Sequence, residues 1–365
     1  TRFYHYRNHS VFTFDGDPGN DSTNVNIGKQ IVERSNIKTA RLGNVTQVDL
    51  FDRKGHYIIV GTDTKWDRTE GTPDTFLYGR HQAISAGAYL QDEITIGDRW
   101  TVTAGARYDY FSILAQTNES NISPKLAAVY QIKPNLSLRA LMAQAFRDPP
   151  VAERFIKFEQ GGGLRFMPNP GLRPEKLVFS GEFGGKYSPV QEVAFDFCLF
   201  YNRYNDLISF QQLSDPLEPL LYKVVNLSQA IMQGFEISYQ YRWRNWLQTH
   251  FSYTFLDARD ASPNRVNDAL AYKPRHTFGG SVSVQRGLCR INVNGRYRSK
   301  IEEVFIYPGS EPAAALILNA KIGCQLTKKG SCYVAVNNLN NAQYEELERY
   351  RMPGRHFAAG IDFRF

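Results

Sequence analysis

The stretch 147–174 gathers residue types that recognise a charged ligand. Arg147, Arg154 and Arg165 are interleaved with Phe155, Phe158 and Phe166. A guanidinium offers a planar fork to oxyanions and stacks on aromatic faces, and aromatic rings give flat ligands and cations a surface. The set suits an anionic, partly aromatic small molecule. The plainer reading of the same residues is loop packing and solubility. A second set, Asp15, Asp17 and Asp21 in DGDPGND, has oxygen donors at a spacing that could hold Ca²⁺. Six or so loop residues of Gly, Pro and Asp ordinarily make a turn, so no metal is assigned.

Covalent and acid–base chemistry find no foothold. There is no nucleophile elbow, no HExxH and no phosphate loop. Asp, His and Ser are plentiful, yet no spacing selects a set, and the chain reads as a non-enzyme without a cofactor. Of the four Cys, Cys324 and Cys332 flank the turn LTKKGS on one strand face. A bridge between them is conceivable, and packed thiols are the plainer reading. Nothing resembles CxxC or a zinc site.

The elements that must position these residues are strands. In 99–111, Trp100, Val102, Ala104, Ala106, Tyr108 and Tyr110 oppose Thr101, Thr103, Gly105, Arg107 and Asp109. That period of two gives an apolar face and a polar one. About sixteen such strands are predicted, centred on 2–13, 38–51, 55–67, 82–97, 99–111, 121–132, 135–146, 175–187, 191–204, 222–242, 246–258, 275–287, 289–300, 313–326, 331–338 and 356–365. The strand at 275–287 is poor, with Gly and Ser on both faces. Asp92 falls on an apolar side, at a membrane edge or a bulge. Glu182 and Glu236 fall on the polar face, where pairing with Arg or Lys is expected.

Loop length carries more. Every second connection is tight: 52–55, 97–99, 133–135, 187–191, 242–245, 285–287 and 326–331. The others are long: 15–37, 68–81, 112–120, 147–174, 205–221, 259–274, 301–312 and 339–355. A soluble sandwich has no reason to segregate loops this way; outer-membrane barrels put short turns in the periplasm and long loops outside. Hydropathy does not oppose this. Mean hydropathy is −0.42, and no run approaches the roughly 18–20 apolar residues of a spanning helix, but half of each barrel strand faces a polar lumen. Aromatics reach 13%, with 24 Phe and 21 Tyr. The net charge of +7 fits solvated loops and a polar lumen, with attraction of acidic ligands as the sharper reading. No basic run interleaved with aromatics points to nucleic acid. The chain opens TRFYHY, without a leader; either it was removed or an upstream part is not in this chain, and the second is preferred.

Several stretches resemble one family, the TonB-dependent outer-membrane receptors. QDEITIGDRWTVTAGARYD (91–109) is similar to its hairpin of a Gln-Asp strand, a tight turn and Gly-x-Arg-Tyr-Asp. AFRDPPVAERF (145–155) with NPGLRPEK (169–176) resembles its F-R-x-P and N-P-x-L-x-P-E pair. Asn226, Ala230, Gly234 and Glu236 match N-x-x-x-A-x-x-x-G-x-E, and VNNLNNAQYE (336–345) with a late Arg and terminal Phe resembles the family ending.

The resemblance implies an all-β transmembrane antiparallel barrel, about 16 strands of it here, forming part of a barrel of about 22 strands whose lumen holds a plug. The expected domain is a C-terminal barrel portion over 1–365, without the plug or the TonB box. It implies energised uptake of a scarce ligand bound by outer loops, here a ferric siderophore or similar iron complex, or cobalamin. Haem receptors of this family place a His between the two loop motifs, and none lies between Phe146 and Asn169. Implied partners are the TonB energy-transducing complex, outer-membrane lipids and the barrel assembly machinery, which would read Phe365 as its terminal aromatic signal. The alternative is a passive 16-stranded porin-type channel.

Overall fold

The computed structural model describes residues 1–15, 31–51, 54–72, 78–114, 116–160, 164–213, 217, 220–244, 246–263, 265 and 268–363. Asp17, Asp21 and Phe365 therefore lie outside the described residues. In chain order the strands are β1 (Arg2–Asp15), β2 (Ile31–Phe51), β3 (His56–Thr72), β4 (Arg80–Ile96), β5 (Trp100–Ile113), β6 (Thr117–Lys133) and β7 (Leu136–Arg147). A short helix α1 (Val151–Phe155) and the strands β8 (Phe158–Gln160) and β9 (Leu164–Met167) follow. Then come β10 (Glu175–Tyr187), β11 (Val193–Gln212), β12 (Leu221–Trp243), β13 (Leu247–Asp260), β14 (His276–Arg286), β15 (Cys289–Arg298), β16 (Ala315–Gln325) and β17 (Gly330–Asn337). A small hairpin, β18 (Glu345–Leu347) and β19 (Tyr350–Arg351), precedes β20 (His356–Phe363).

Sixteen of these strands form one antiparallel meander: β1 to β7, β10 to β17, then β20, each paired with the next. Among the described residues β1 pairs only with β2 and β20 only with β17, so the sheet is an arc with two edges. Tight turns gather at one end. Gly97 and Gly287 supply positive φ there, +58° and +59°, which a side chain would resist.

At the other end the strands run further than alternation suggests. β2 has 21 residues, β11 has 20 and β12 has 23. The connection expected over 112–120 shrinks to 114–116, because β5 continues to Ile113 and β6 begins at Thr117. These extensions stand beyond the lipid, where both faces can be polar and the period of two disappears.

The outer face is apolar and exposed, as a hydrocarbon-facing surface must be. Leu90, Leu126, Met142, Val334 and Ile361 are each more than half exposed. Rings tile it across strands: Phe195 on Tyr239, Phe197 on Phe235, and Phe251 on Phe278. Near the tight turns, Trp100 packs on Tyr130 and Phe51 on Tyr57, each at 4.5 Å, as in an interfacial girdle. Asp92 lies in unbroken register here and meets His56 at 2.7 Å, which favours the membrane edge over a bulge.

The inner face carries charge in ladders. Arg41 meets Asp67 at 2.6 Å, Arg107 meets Asp63 at 2.6 Å, and Arg139 meets Asp196 at 2.7 Å. Glu182 and Glu236 do not follow the expectation of pairing with a cation. Glu236 accepts from Thr254 at 3.5 Å, and neither forms an ion pair among the described residues. Gly234 has a packing reason: a Cβ there would lie 1.9 Å from the Phe255 carbonyl oxygen.

Cys324 and Cys332, read as packed thiols with a bridge between them conceivable, are neither both free nor bridged to each other. Cys324 is bridged to Cys289, and Cys332 is a free thiol. The register sets the choice, as described below.

Candidate functional site at the outer mouth

β7 ends where Asp148 is followed by Pro149 and Pro150, which have no N–H to extend a ladder. Pro150 caps α1, and Glu153 sits in its first turn. β8 and β9 then form a hairpin, Phe158 opposite Phe166. β9 continues onto the free edge of β12, parallel to it, with Arg165–Met167 against Leu221–Lys223 and the Arg165 N–H donating to Leu220 O at 3.0 Å. The long loop is thus a built element.

Two motifs read separately in the sequence meet in one joint. The Asn169 amide donates to Val224 O at 2.8 Å, and its backbone N–H donates to Arg154 O at 2.7 Å. Asn226 acts as a peptide mimic. Its Oδ1 accepts from Arg173 N–H at 2.9 Å, while Nδ2 donates to Arg173 O at 2.9 Å and Asp206 O at 2.8 Å. Leu172, Tyr222, Val224 and Ala230 are sealed beneath it.

The structure gives the six candidate residues different surroundings. Arg147 holds Glu175 with Nε at 2.9 Å and Glu153 with Nη1 at 2.9 Å, tying α1 to the top of β10. Arg154 is buried, donating to Pro149 O and Pro170 O at 3.4 Å each. Phe155 is buried against Ala83 and Ile113 and stacks on His81 at 3.9 Å. Arg165 is exposed on β9. Phe166 is half-buried, packing on Phe210 and Tyr222 at 5.8 Å each. Phe158 lies in β8, and its side chain is outside the described atoms. Of the weak calcium set, only Asp15 falls on described backbone, at the end of β1. No group of three His, Cys, Asp or Glu among the described residues could hold a metal ion.

Below α1 lies a cavity of about 690 Å³, lined by Arg41, Lys65, Asp67, Arg107, Asp109 and Asp148 among others. Asp148 is the residue that composition did not single out. Burial pushes its carboxyl up to about 6, against the pull of Arg154. Its Oδ1 and the Arg154 Nη2 are both buried without a hydrogen-bond partner. A lone acid between Arg147 and two prolines was the available signal.

The neighbouring loops lock to one another. Phe210 packs on Phe305 at 5.4 Å, and Phe305 on Tyr272 at 5.2 Å. Tyr272 donates to Glu348 at 2.7 Å; burial and this bond push its phenol up to about 12, so it stays a donor. The Tyr222 hydroxyl donates to Ile306 O at 2.6 Å. An aromatic seam therefore runs from Phe166 across the mouth.

An antiparallel meander with an apolar exterior, a charged lumen and a built outer mouth defines a transmembrane β-barrel of the outer membrane. The model of the TonB dependent receptor-like beta-barrel family matches residues 1–339, and the chain belongs to that family. A heme/hemopexin utilization protein C of Haemophilus influenzae is 24% identical over 180 residues, 43% of this chain and 25% of that protein. The ferrioxamine B receptor of Salmonella typhimurium is 22% identical over 352 residues, 90% of this chain and 45% of that protein. The siderophore receptor PirA from Acinetobacter baumannii superposes with a TM-score of 0.75 at 17% identity, covering 100% of this chain and 59% of that one. The chain thus spans less than half the length of the curated relatives it matches.

Proposed function

We propose that the chain is the barrel of an energised receptor that imports an iron complex, a ferric siderophore first. The observation that carries this is the segments 147–160 and 164–174 built as a platform over a charged cavity, with Arg165 exposed on β9. Arg147, Arg154 and Phe155 form the platform's frame and set the position of its outer edge. On that edge Arg165 supplies a cation, with Phe158 and Phe166 as the aromatic residues of the same hairpin, a composition that suits the oxygen-rich, negatively charged surface of a ferric chelate. The likeness to a ferrioxamine B receptor and to a siderophore receptor supports the same class.

Transport across the membrane then depends on coupling to the TonB complex through a plug in the lumen. The charged ladders of Arg41, Arg107 and Arg139 would face that plug. Lipids cover the outer face, and the barrel assembly machinery inserts the chain.

Intrinsic fluorescence of the purified receptor, titrated with ferric hydroxamate, ferric catecholate, haem and cobalamin, tests the ligand class. Saturable quenching by a ferric siderophore is expected, weakened about tenfold or more in Arg165→Ala/Phe166→Ala, a loss of roughly 1.4 kcal/mol. Quenching by haem or cobalamin alone would overturn the siderophore reading.

A further inference from the structure

Three of the four cysteines lie in one row across the sheet, beside the tight turns. Cys289 of β15 faces Cys324 of β16, and Cys324 faces Cys332 of β17. Residues directly opposite on neighbouring strands project to the same face. The row therefore lies one layer from Ile291, Ile322 and Val334 on the outer face, next to the turns after Arg286 and Gln325.

The register explains which pair is bridged. The Gln325 N–H donates to Leu288 O at 2.8 Å, so Gln325 and Leu288 are a hydrogen-bonded pair and Cys324 and Cys289 are not. Their Cα atoms are 4.0 Å apart. The Leu326 N–H donates to Gly330 O at 2.9 Å, so the main-chain groups of Cys324 turn toward Cys332 instead. Such a hydrogen-bonded pair is wider by about 1 Å. The native bridge takes the narrow side and leaves the Cys332 thiol opposite the bonded sulfur.

We propose that this row is a thiol–disulfide exchange site with Cys332 as nucleophile, Cys324 as central sulfur and Cys289 as leaving group. Displacement at sulfur needs attacking, central and departing atoms in line. Three strands about 4.8 Å apart, with a cysteine at the same level on each, supply that line. Cys332 gives its proton to water at the rim, and its thiolate attacks Cys324 Sγ. The Cys324–Cys332 bond forms as the Cys289–Cys324 bond breaks, and the departing Cys289 thiolate takes up a proton. One disulfide and one thiol exist before and after, so the exchange needs no oxidant.

The site also orders assembly. Closing the β16–β17 hairpin costs less loop entropy than joining β15 to β16. A periplasmic disulfide donor oxidises Cys324 and Cys332 first, its own disulfide being reduced to two thiols. When β15 docks, the reverse exchange moves the bridge to Cys289 and staples β15 onto β16.

Alkylation of receptor isolated from outer membranes, followed by peptide mapping, tests this. In the wild type the major form should carry the Cys289–Cys324 bridge with alkylated Cys332. A minor form, with the Cys324–Cys332 bridge and alkylated Cys289, should grow on incubation at mildly alkaline pH before the reagent is added. Membrane-inserted Cys289→Ser should show a Cys324–Cys332 bridge, and Cys332→Ser should acquire its Cys289–Cys324 bridge several-fold later in pulse-labelled cells. Alkylation confined to Cys332 in the wild type at all times, or free thiols at both Cys324 and Cys332 in inserted Cys289→Ser, would overturn the proposal.

Discussion

Arg147 and Arg154 carry the same charge one short helix apart, yet the fold uses them differently. Arg147 clamps two carboxylates in water, one of them on Glu175 at the far end of the loop. Arg154 is buried among carbonyls, with Glu119 and Asp148 as its charged neighbours. Residue type marked both as cationic, and partner identity could not be read, because Glu175 lies 28 positions along the chain from Arg147. Asp148 gives the sharper prediction at this scale. Its carboxyl is held at about 6, above the ordinary 3.8, because burial disfavours the anion. The folded loop therefore prefers the protonated acid. That contribution is fully present below about pH 4 and is lost as pH rises through about 6. Loop docking should tighten on acidification across that window. Asp148→Asn should dock at neutral pH as tightly as the wild type does in acid, with the pH dependence flattened. Limited proteolysis across 148–174 as a function of pH measures this; an unchanged slope in Asp148→Asn would count against it.

At the scale of elements, the strand β9 and the joint at Asn226 hold the mouth in place. Asn226→Ala removes three hydrogen bonds to backbone groups, each contributing about 1 kcal/mol. Hydrogen exchange at the Arg173 amide should accelerate by some tens-fold, while the heat-modifiable gel mobility of the barrel stays unchanged. Protection equal to the wild type would remove Asn226 from the account. The sixteen meander strands were legible because lipid on one side and lumen on the other impose a period of two on residues such as Trp100 to Tyr110. Their outer extensions were not. Thr117-Asn-Glu-Ser-Asn at the start of β6 is polar on both faces, so a strand there looks like a loop. The bridge from Cys324 to Cys289 was hidden for a related reason: strand register, which decides between two opposite partners, is not written in spacing.

For the whole molecule, the arc leaves β1 and β20 each with one partner among the described residues. Open edges of this length are unstable in a membrane, where every backbone group needs an internal partner. Assembly into a closed cylinder is therefore part of the proposed function. Uptake of radiolabelled ferric siderophore by cells with and without TonB distinguishes energised import through this barrel from passive passage. Saturable uptake should fall to the receptor-null background when TonB is deleted, with surface binding retained. Uptake that continues unchanged without TonB would contradict energised import.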